Sequence, residues 1–440
     1  MPEMLVNKTI SVCPICKKEI DADIVERYGS VFMEKTCGEH GRFEVKIAKH
    51  AWYYKGLSSF YDAVFPQDFY RNRQCLFYVL FVTSQCNLNC PICFTDANTT
   101  RHIQDIPIET IKRYLDTIRN RRRIIRLSGG EPTSRDDLPE IIRLIAKSGN
   151  FPYMFTNGLK IADCAYLEIL KNNGLKGIIM WLDSLKNDGI HKLTRGREVL
   201  KEKMQAIENI KKSNIPFCLY HIKAKGLNDS DIEDCWEYIL KNKFIKTFWI
   251  KGYAHLGKKG FSKANEFIID ELIEDVAKIS KGMFTLEDMY WYQKFNYILA
   301  ALENTPFCYY SQTILLPRNN SYPIKFIRYS KLIDKFEKKW KESPQEARQY
   351  FRYKIAQELL KHSSVSMKYF LLMFKLSKQP LYKVIHDFLP SDFFFLIINT
   401  FYDSWNYDKL MISRQCHNGV FHLDPLKNFP LCDLTAKIFS

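Results

Sequence analysis

"TSQCNLNCPICF", Thr83 to Phe94, sets three cysteines, Cys86, Cys90 and Cys93, at a four-residue and then a three-residue step. A pair three apart suits zinc or a disulfide; a third thiol on the same loop asks for more. A [4Fe–4S] cube usually takes four thiolates, so three would leave one iron with an open position, as in a catalytic zinc site. Immediately upstream, "CLFYVLFVTSQ" is a continuous apolar run, the pattern of a strand buried on both faces. Downstream, helical patterns ("IPIETIKRYLDTIRN", "DDLPEIIRLIAKSG", "AYLEILKNNG", "LKEKMQAIENIKKSN", "DIEDCWEYILKN") alternate with short apolar runs ("RIIRLSGGEP", "FPYMFTNG", "GIIMWLDS", "IPFCLYHIKAKGLN", "KTFWIKGYAHLG"). Six strands alternating with helices over residues 75–257 predict a parallel sheet or partial barrel, with its chemistry at the carboxyl ends of the strands.

The 440 residues suffice for two or three domains, and 14% aromatics provide material for apolar pockets. A net charge of +16 suits nucleic acid, an anionic membrane surface or an acidic substrate without choosing among them. Met1 to Ile10 lacks the apolar core of a secretory signal, and "FFFLII" at Phe393 to Ile398 is far too short to span a bilayer. A cytoplasmic protein is expected, with peripheral contact at the inner membrane face. Its 13 cysteines are then thiols or metal ligands. Cys164, Cys218 and Cys235 lack partner spacing and are expected to pack; Cys75 is ambiguous.

The ordered motifs resemble the radical S-adenosylmethionine (SAM) superfamily, whose hallmark is a CxxxCxxC loop after the first strand of a partial (β/α)6 barrel. The resemblance implies that Cys86, Cys90 and Cys93 hold a [4Fe–4S] cluster whose open iron chelates SAM. Reductive cleavage of SAM then yields a 5′-deoxyadenosyl radical that abstracts hydrogen from substrate. It further implies that Gly129, Gly130, Glu131 and Pro132 ("GGEP") hold the SAM amino group, the glycines letting ligand approach the backbone. Asn157 of "TNG" matches the third strand end. Asp183 and Ser184 of "LDS" match the fourth, reaching the SAM ribose or carboxylate. Asn228 lies near the adenine, and Arg195 where members carry a cation for the SAM carboxylate.

Two further cysteine groups flank the barrel. "CPIC", twenty residues and "CGEH" place Cys13, Cys16, Cys37 and His40 with the spacing of a zinc ribbon or rubredoxin-like knuckle, for zinc or one iron. Cys308, Cys416 and Cys432, with His417 and His422 nearby, suggest an auxiliary iron–sulfur cluster. The expected domains are a metal-binding knuckle at 1–72, the radical SAM barrel at 73–300, and an α-rich C-terminal region at 301–440. The last is read as helical from Ser330 to Phe401.

Knuckle, barrel and tail together resemble the tetraether lipid synthase-like group, which joins lipid methyl ends by radical C–C coupling. Two departures set this chain apart: Tyr61 to Arg73 has no cysteines where that group carries a further cluster, and a tail cysteine is replaced near Thr400. The resemblance favours hydrogen abstraction from an apolar substrate, a lipid alkyl chain, with a reductant such as flavodoxin or ferredoxin. Peptide modification and pterin methylation are the alternative enzyme readings. An iron–sulfur regulatory or nucleic-acid-binding protein is the alternative of another class, and the intact GGEP and cysteine triplet argue against it. No residue is assigned to hydrogen transfer or radical quenching.

Overall fold

The computed structural model describes residues 4–65, 77–99, 105–302, 311–319, 326–361, 389, 391–415, 418–421 and 429–430. Four antiparallel strands come first: β1 (Met4–Val12), β2 (Glu19–Arg27), β3 (Ser30–Cys37) and β4 (Gly41–Ala48), paired in chain order. Helix α1 (Ala51–Val64) leads away from them, burying Leu57, Phe60, Tyr61 and Val64. That spacing of three, four and seven is one helical face.

The expected alternation follows: β5 (Phe77–Thr83), α2 (Ile108–Thr117), β6 (Ile124–Gly129), α3 (Leu138–Lys147), β7 (Phe151–Thr156), α4 (Cys164–Asn172), β8 (Gly177–Trp181), α5 (Asp188–Arg195), α6 (Leu200–Ser213), β9 (Phe217–Lys223), α7 (Asp231–Lys241) and β10 (Ile245–Gly252). The six strands are parallel and adjacent in chain order. Helices cover the outer face; α3 buries Leu138, Ile141, Ile142 and Ile145 against it. Outward strand residues such as Leu127, Met154, Ile178 and Leu219 are fully or almost fully buried in the same core, so both sides of each strand are withdrawn from water and the strands read as apolar runs.

The remaining elements are α8 (Ile269–Ile279), α9 (Leu286–Leu302), β11 (Gln312–Pro317), α10 (Ser330–Glu342), α11 (Pro344–Lys361), β12 (Phe393–Asn399), α12 (Lys409–Gln415), β13 (Asn418–Phe421) and β14 (Phe429–Pro430). Two expectations change here. Phe393–Asn399, read as the end of a helical stretch, is a strand, parallel to β10 (Thr247 opposite Phe395) and antiparallel to β11. Six consecutive apolar residues, Phe393 to Ile398, demand burial on both faces, and a place beside β10 provides it. The six-stranded sheet thereby grows to ten, in the order β11-β12-β10-β9-β8-β7-β6-β5-β13-β14. The C-terminal region thus contributes strands as well as helices. No described helix is long and apolar enough to cross a membrane.

Candidate active site

The cysteine loop leaves β5 at Thr83 and is tied down at both ends by one side chain. The Asn98 amide accepts from the Cys86 N–H (2.8 Å) and donates to the carbonyls of Cys86 (3.0 Å) and Leu88 (3.2 Å). Asn98 itself sits in the left-handed region (φ 72°), which asparagine tolerates better than most residues. The segment after β10 closes over the loop: the N–H groups of Lys258 and Gly260 donate to the Cys93 and Pro91 carbonyls.

Two of the thiol sulfurs face backbone donors. Leu88 N–H points at Cys86 Sγ (3.4 Å) and Ala97 N–H at Cys93 Sγ (3.3 Å), contacts that stabilise thiolate and tune a cluster's potential. Burial pushes the Cys86 thiol up to about 12 and raises Cys90 as well. Thiolate at these positions therefore needs the charge of a bound metal, which deprotonates a coordinating thiol outright. Among the described residues the three do not converge on one point as single-ion ligands would; a cube takes each at a different corner.

The strand ends around this loop hold most of the expected SAM contacts, but many of their polar groups turn towards the protein. Gly130 N–H donates to the Thr83 carbonyl (2.7 Å) and Glu131 N–H to the Gln85 carbonyl (2.8 Å). The glycines thus also permit the close approach of this strand end to the cysteine loop: a Cβ on Gly129 or Gly130 would meet the backbone of Thr83 or Gln85. Both Glu131 carboxylate oxygens are engaged: they accept from Thr133 N–H (3.2 Å), the Thr133 hydroxyl (2.7 Å), the Thr156 hydroxyl (2.8 Å) and Asn157 N–H (2.7 Å). Glu131 ties the end of β6 to the end of β7. Pro132, also buried, opens the short turn that follows. The Asn157 amide donates to Asn87 in the cysteine loop (2.6 Å).

Asp183, fully buried, receives the Arg195 guanidinium in two hydrogen bonds (2.6 and 2.8 Å) and the Thr194 hydroxyl (2.7 Å). Burial alone would raise this carboxyl, but Arg195 holds it well below the usual carboxylate range. Arg195 also lies near Cys90, close enough for its charge to favour the thiolate, so it links the fourth strand end electrostatically to the cysteine loop. Ser184 Oγ accepts from Asn187 N–H (2.9 Å), starting α5. Asn228 holds the end of β9, accepting from Ala224 N–H (2.9 Å) and donating to the Ile222 carbonyl (2.7 Å). One member of this girdle was missed: Lys203, fully buried on α6, donates to the carbonyls of Asn157 (2.8 Å) and Trp181 (2.6 Å). Its position on the Leu200, Lys203, Ala206, Ile207 face was the available signal. Burial and the neighbouring Arg195 lower it to about 8.

Inside the sheet is a lumen that the motifs did not reveal. Its walls include Arg126, Phe155, Trp181, Tyr220, Trp249 and Lys251, and it opens beside Ile92 and Phe94, which flank Cys93. Tyr220 packs on Trp181 (ring centroids 5.6 Å) and on Trp249 (5.0 Å), while Phe155 of β7 meets Trp249 of β10 across the two strands between them (6.2 Å). The Arg126 guanidinium lies over the rings of Phe77 (4.2 Å) and Trp249 (5.4 Å). It makes no hydrogen bond or ion pair with the described residues, and burial lowers it to about 10.

The N-terminal ribbon brings together Cys13, Cys16, Cys37 and His40, whose ligand atoms lie within 4.8 Å of one another, the only such group among the described residues. The His40 ring nitrogen is 3.7 Å from Cys13 Sγ and 3.5 Å from Cys37 Sγ. Burial would raise the Cys13 thiol, but the N–H groups of Cys16 and Ile15 bring it down to about 7. Three thiols and an imidazole suit a closed tetrahedral zinc site. Cys308, Cys416 and Cys432, with His417, His422 and Cys75, lie outside the described residues. Cys235 packs as expected, whereas Cys164 is exposed at the start of α4.

Residues 80–239 match the Radical SAM superfamily and residues 5–49 the HMPTM N-terminal zinc ribbon domain. The 7,8-dihydro-6-hydroxymethylpterin dimethyltransferase of Methanocaldococcus jannaschii is 30% identical over 310 residues, covering 64% of this chain and 61% of that protein. This chain's match thus spans less than two thirds of that protein's length. GTP 3′,8-cyclase of Helicobacter pylori is 30% identical over 224 residues, 48% of this chain and 68% of the cyclase. The crystal structure of Streptococcus suis SuiB bound to S-adenosylmethionine aligns over 47% of each chain, with 17% identity and a TM-score of 0.42. With the cysteine loop, the GGEP strand end and the six parallel strands in their expected places, the chain belongs to the radical SAM superfamily.

Proposed function

We propose that this enzyme takes hydrogen from a flat heteroaromatic substrate of the pterin or purine kind, bound in the aromatic lumen. The observation that carries the reading is Arg126: a half-buried guanidinium, held among aromatic rings on the lumen wall, with no hydrogen-bonding partner among the described residues. A guanidinium fork pairs with a carbonyl oxygen and its neighbouring ring nitrogen, as it does with the edge of guanine, and pterins present the same edge. Trp181, Tyr220, Trp249 and Phe155 supply stacking faces around it. Two relatives are named for a pterin and for GTP. An alkyl chain, the substrate favoured by sequence resemblance, would leave the guanidinium buried against hydrocarbon without a counterpart, an expensive arrangement.

The [4Fe–4S] cluster and SAM, when bound, supply the 5′-deoxyadenosyl radical. Cys86, Cys90 and Cys93 would hold that cluster at the mouth of the lumen, and a small reductant protein would deliver its electron. The rings exclude water from the path between the cluster and the substrate. Arg126 and the stack would fix which face of the ring meets the cluster side.

The test is anaerobic turnover of reconstituted enzyme with SAM, dithionite and either 6-hydroxymethyl-7,8-dihydropterin, GTP or a long-chain fatty acid, reading 5′-deoxyadenosine. The dihydropterin is expected to stimulate cleavage most. Arg126→Met should raise its KM by roughly tenfold to a hundredfold, the worth of a lost charge-assisted hydrogen bond of about 1.5–3 kcal/mol. Stimulation by fatty acid alone would sink the proposal.

A further inference from the structure

The lumen has a wall that does not come from the six parallel strands. Phe401, just beyond β12, stacks on Phe94 of the cysteine loop (5.3 Å), lies against the Lys251 ammonium (2.9 Å to the ring centroid) and lines the lumen. The same ring lines a second cavity, of about 220 Å³, bounded by Val45 and Lys46 of the ribbon and by Lys263, Glu266 and Asp403. Phe401, with Tyr253 and Ala254, therefore separates that chamber from the lumen cavity of about 90 Å³, and it is the one of the three that comes from the C-terminal segment.

The segment carrying Phe401 is held from the ribbon side. Lys35, on β3 and only 3% exposed, uses its ammonium on Ser11 Oγ (2.9 Å) and on the carbonyls of Ser404 (2.7 Å) and Trp405 (2.8 Å). All three of its donors are used, and two grip the backbone of this one turn. Lys17 reaches Ser404 Oγ (3.0 Å), Thr9 donates to Asp408 (2.6 Å), and Phe43 meets Trp405 edge-on (5.6 Å). Val12 buries against Tyr402, Tyr407 and Ile412. Tyr402 thus faces the ribbon while its neighbour Phe401 faces the lumen.

We propose that Phe401 is a specificity-determining wall of the lumen, and that the metal ribbon, through Lys35, is the element that positions it. Lys35 is a positioning residue, distant from the reacting atoms. Without its grip Phe401 swings, the lumen joins the outer chamber, and the packing on Phe94 beside Cys93 loosens. The ribbon's metal then matters to the reaction by fixing the turn that carries a lumen wall.

Hydrogen exchange on the full-length, metal-loaded protein reads this with no knowledge of the substrate, so failure of the pterin reading would leave it intact. Lys35→Met, with its ribbon metal confirmed by metal analysis, is expected to speed exchange at least fivefold in residues 400–408 and also in 92–96. Phe401→Leu should speed 92–96 while leaving β1–β4 unchanged. The combined variant should be no faster at 92–96 than Phe401→Leu alone, since both act through one ring. If Lys35→Met does not fold, Phe43→Ala makes the same test from a half-buried position. Changes confined to β1–β4, or effects at 92–96 that simply add, would overturn the proposal.

Discussion

Arg195→Met is expected to cost about 3–5 kcal/mol of stability at neutral pH, because it leaves the Asp183 carboxylate fully buried with its main counter-charge gone. The double variant Asp183→Asn/Arg195→Met removes both charges and should recover much of that loss, since a neutral pair need not be solvated. The pH dependence discriminates further. In the wild type the Asp183 carboxyl is held below its unfolded value, so its contribution is present above about pH 4 and is lost as pH falls further. Without Arg195, burial dominates and the carboxyl rises. The penalty of the single variant is then largest at neutral pH and shrinks as acid neutralises Asp183. Lys203 also bears on this carboxylate, so some compensation remains and the lower part of the range is expected. Urea unfolding of the three proteins at several pH values reads all of this. Since the Arg195 charge also favours the Cys90 thiolate, iron loading of the single variant should fall in parallel. A penalty that stays flat from neutral pH into acid would show that Asp183 is not the group left unpaired.

The cysteine loop, the strand–helix alternation and the ribbon were legible because each is a local pattern: spacing for Cys86, Cys90 and Cys93, periodicity for β5 to β10, two short knuckles for Cys13 to His40. What spacing could not convey is direction. Glu131, Ser184 and Asn228 stand at the anticipated strand ends, yet their side chains are taken up by Thr156, Asn187 and Ala224. They stiffen the rim on which a cofactor would rest. Whether a strand-end polar group faces a ligand or its neighbouring strand depends on rotamer and twist, which no short motif encodes. The lumen was invisible for another reason. Arg126, Phe155, Trp181, Tyr220 and Trp249 come from five strands, and they meet only once register is known; register pairs Trp181 with Tyr220 and Tyr220 with Trp249. A reader aligning the inward positions of successive strands would have found a cation and four aromatics on one face of the sheet, three of the aromatics in register. Phe393–Asn399 was misread because a short all-apolar run fits a buried helix and a buried strand equally well. Only the vacant edge of β10 decides between them.

Gly130→Ala separates the two explanations for the GGEP glycines, ligand approach and close packing. Gly130 needs no left-handed backbone, so alanine carries no intrinsic conformational strain there. Its methyl group would instead stand 2.7 Å from the Gln85 carbonyl carbon and 2.8 Å from the Ser84 oxygen, with the Gln85 oxygen closer still. These are backbone atoms and cannot rotate aside. To admit the methyl, the end of β6 must move away from the entry to the cysteine loop, weakening the Gly130–Thr83 and Glu131–Gln85 hydrogen bonds. The global cost should be modest, about 1–3 kcal/mol, because the strain is local and the core beneath is untouched. The functional cost should be far larger: a displacement of roughly 1 Å at a reacting centre costs on the order of a hundredfold in rate. We expect Gly130→Ala to fold, to keep its ribbon metal, and to lose at least about a hundredfold in 5′-deoxyadenosine formation, with lower iron content at the barrel. Close packing predicts that both iron content and cleavage suffer, since the loop itself is displaced. Ligand approach predicts full iron loading with weakened SAM binding alone. Iron analysis beside a SAM-binding titration on one preparation tells them apart, and the Gln85 contact makes the first outcome the expected one.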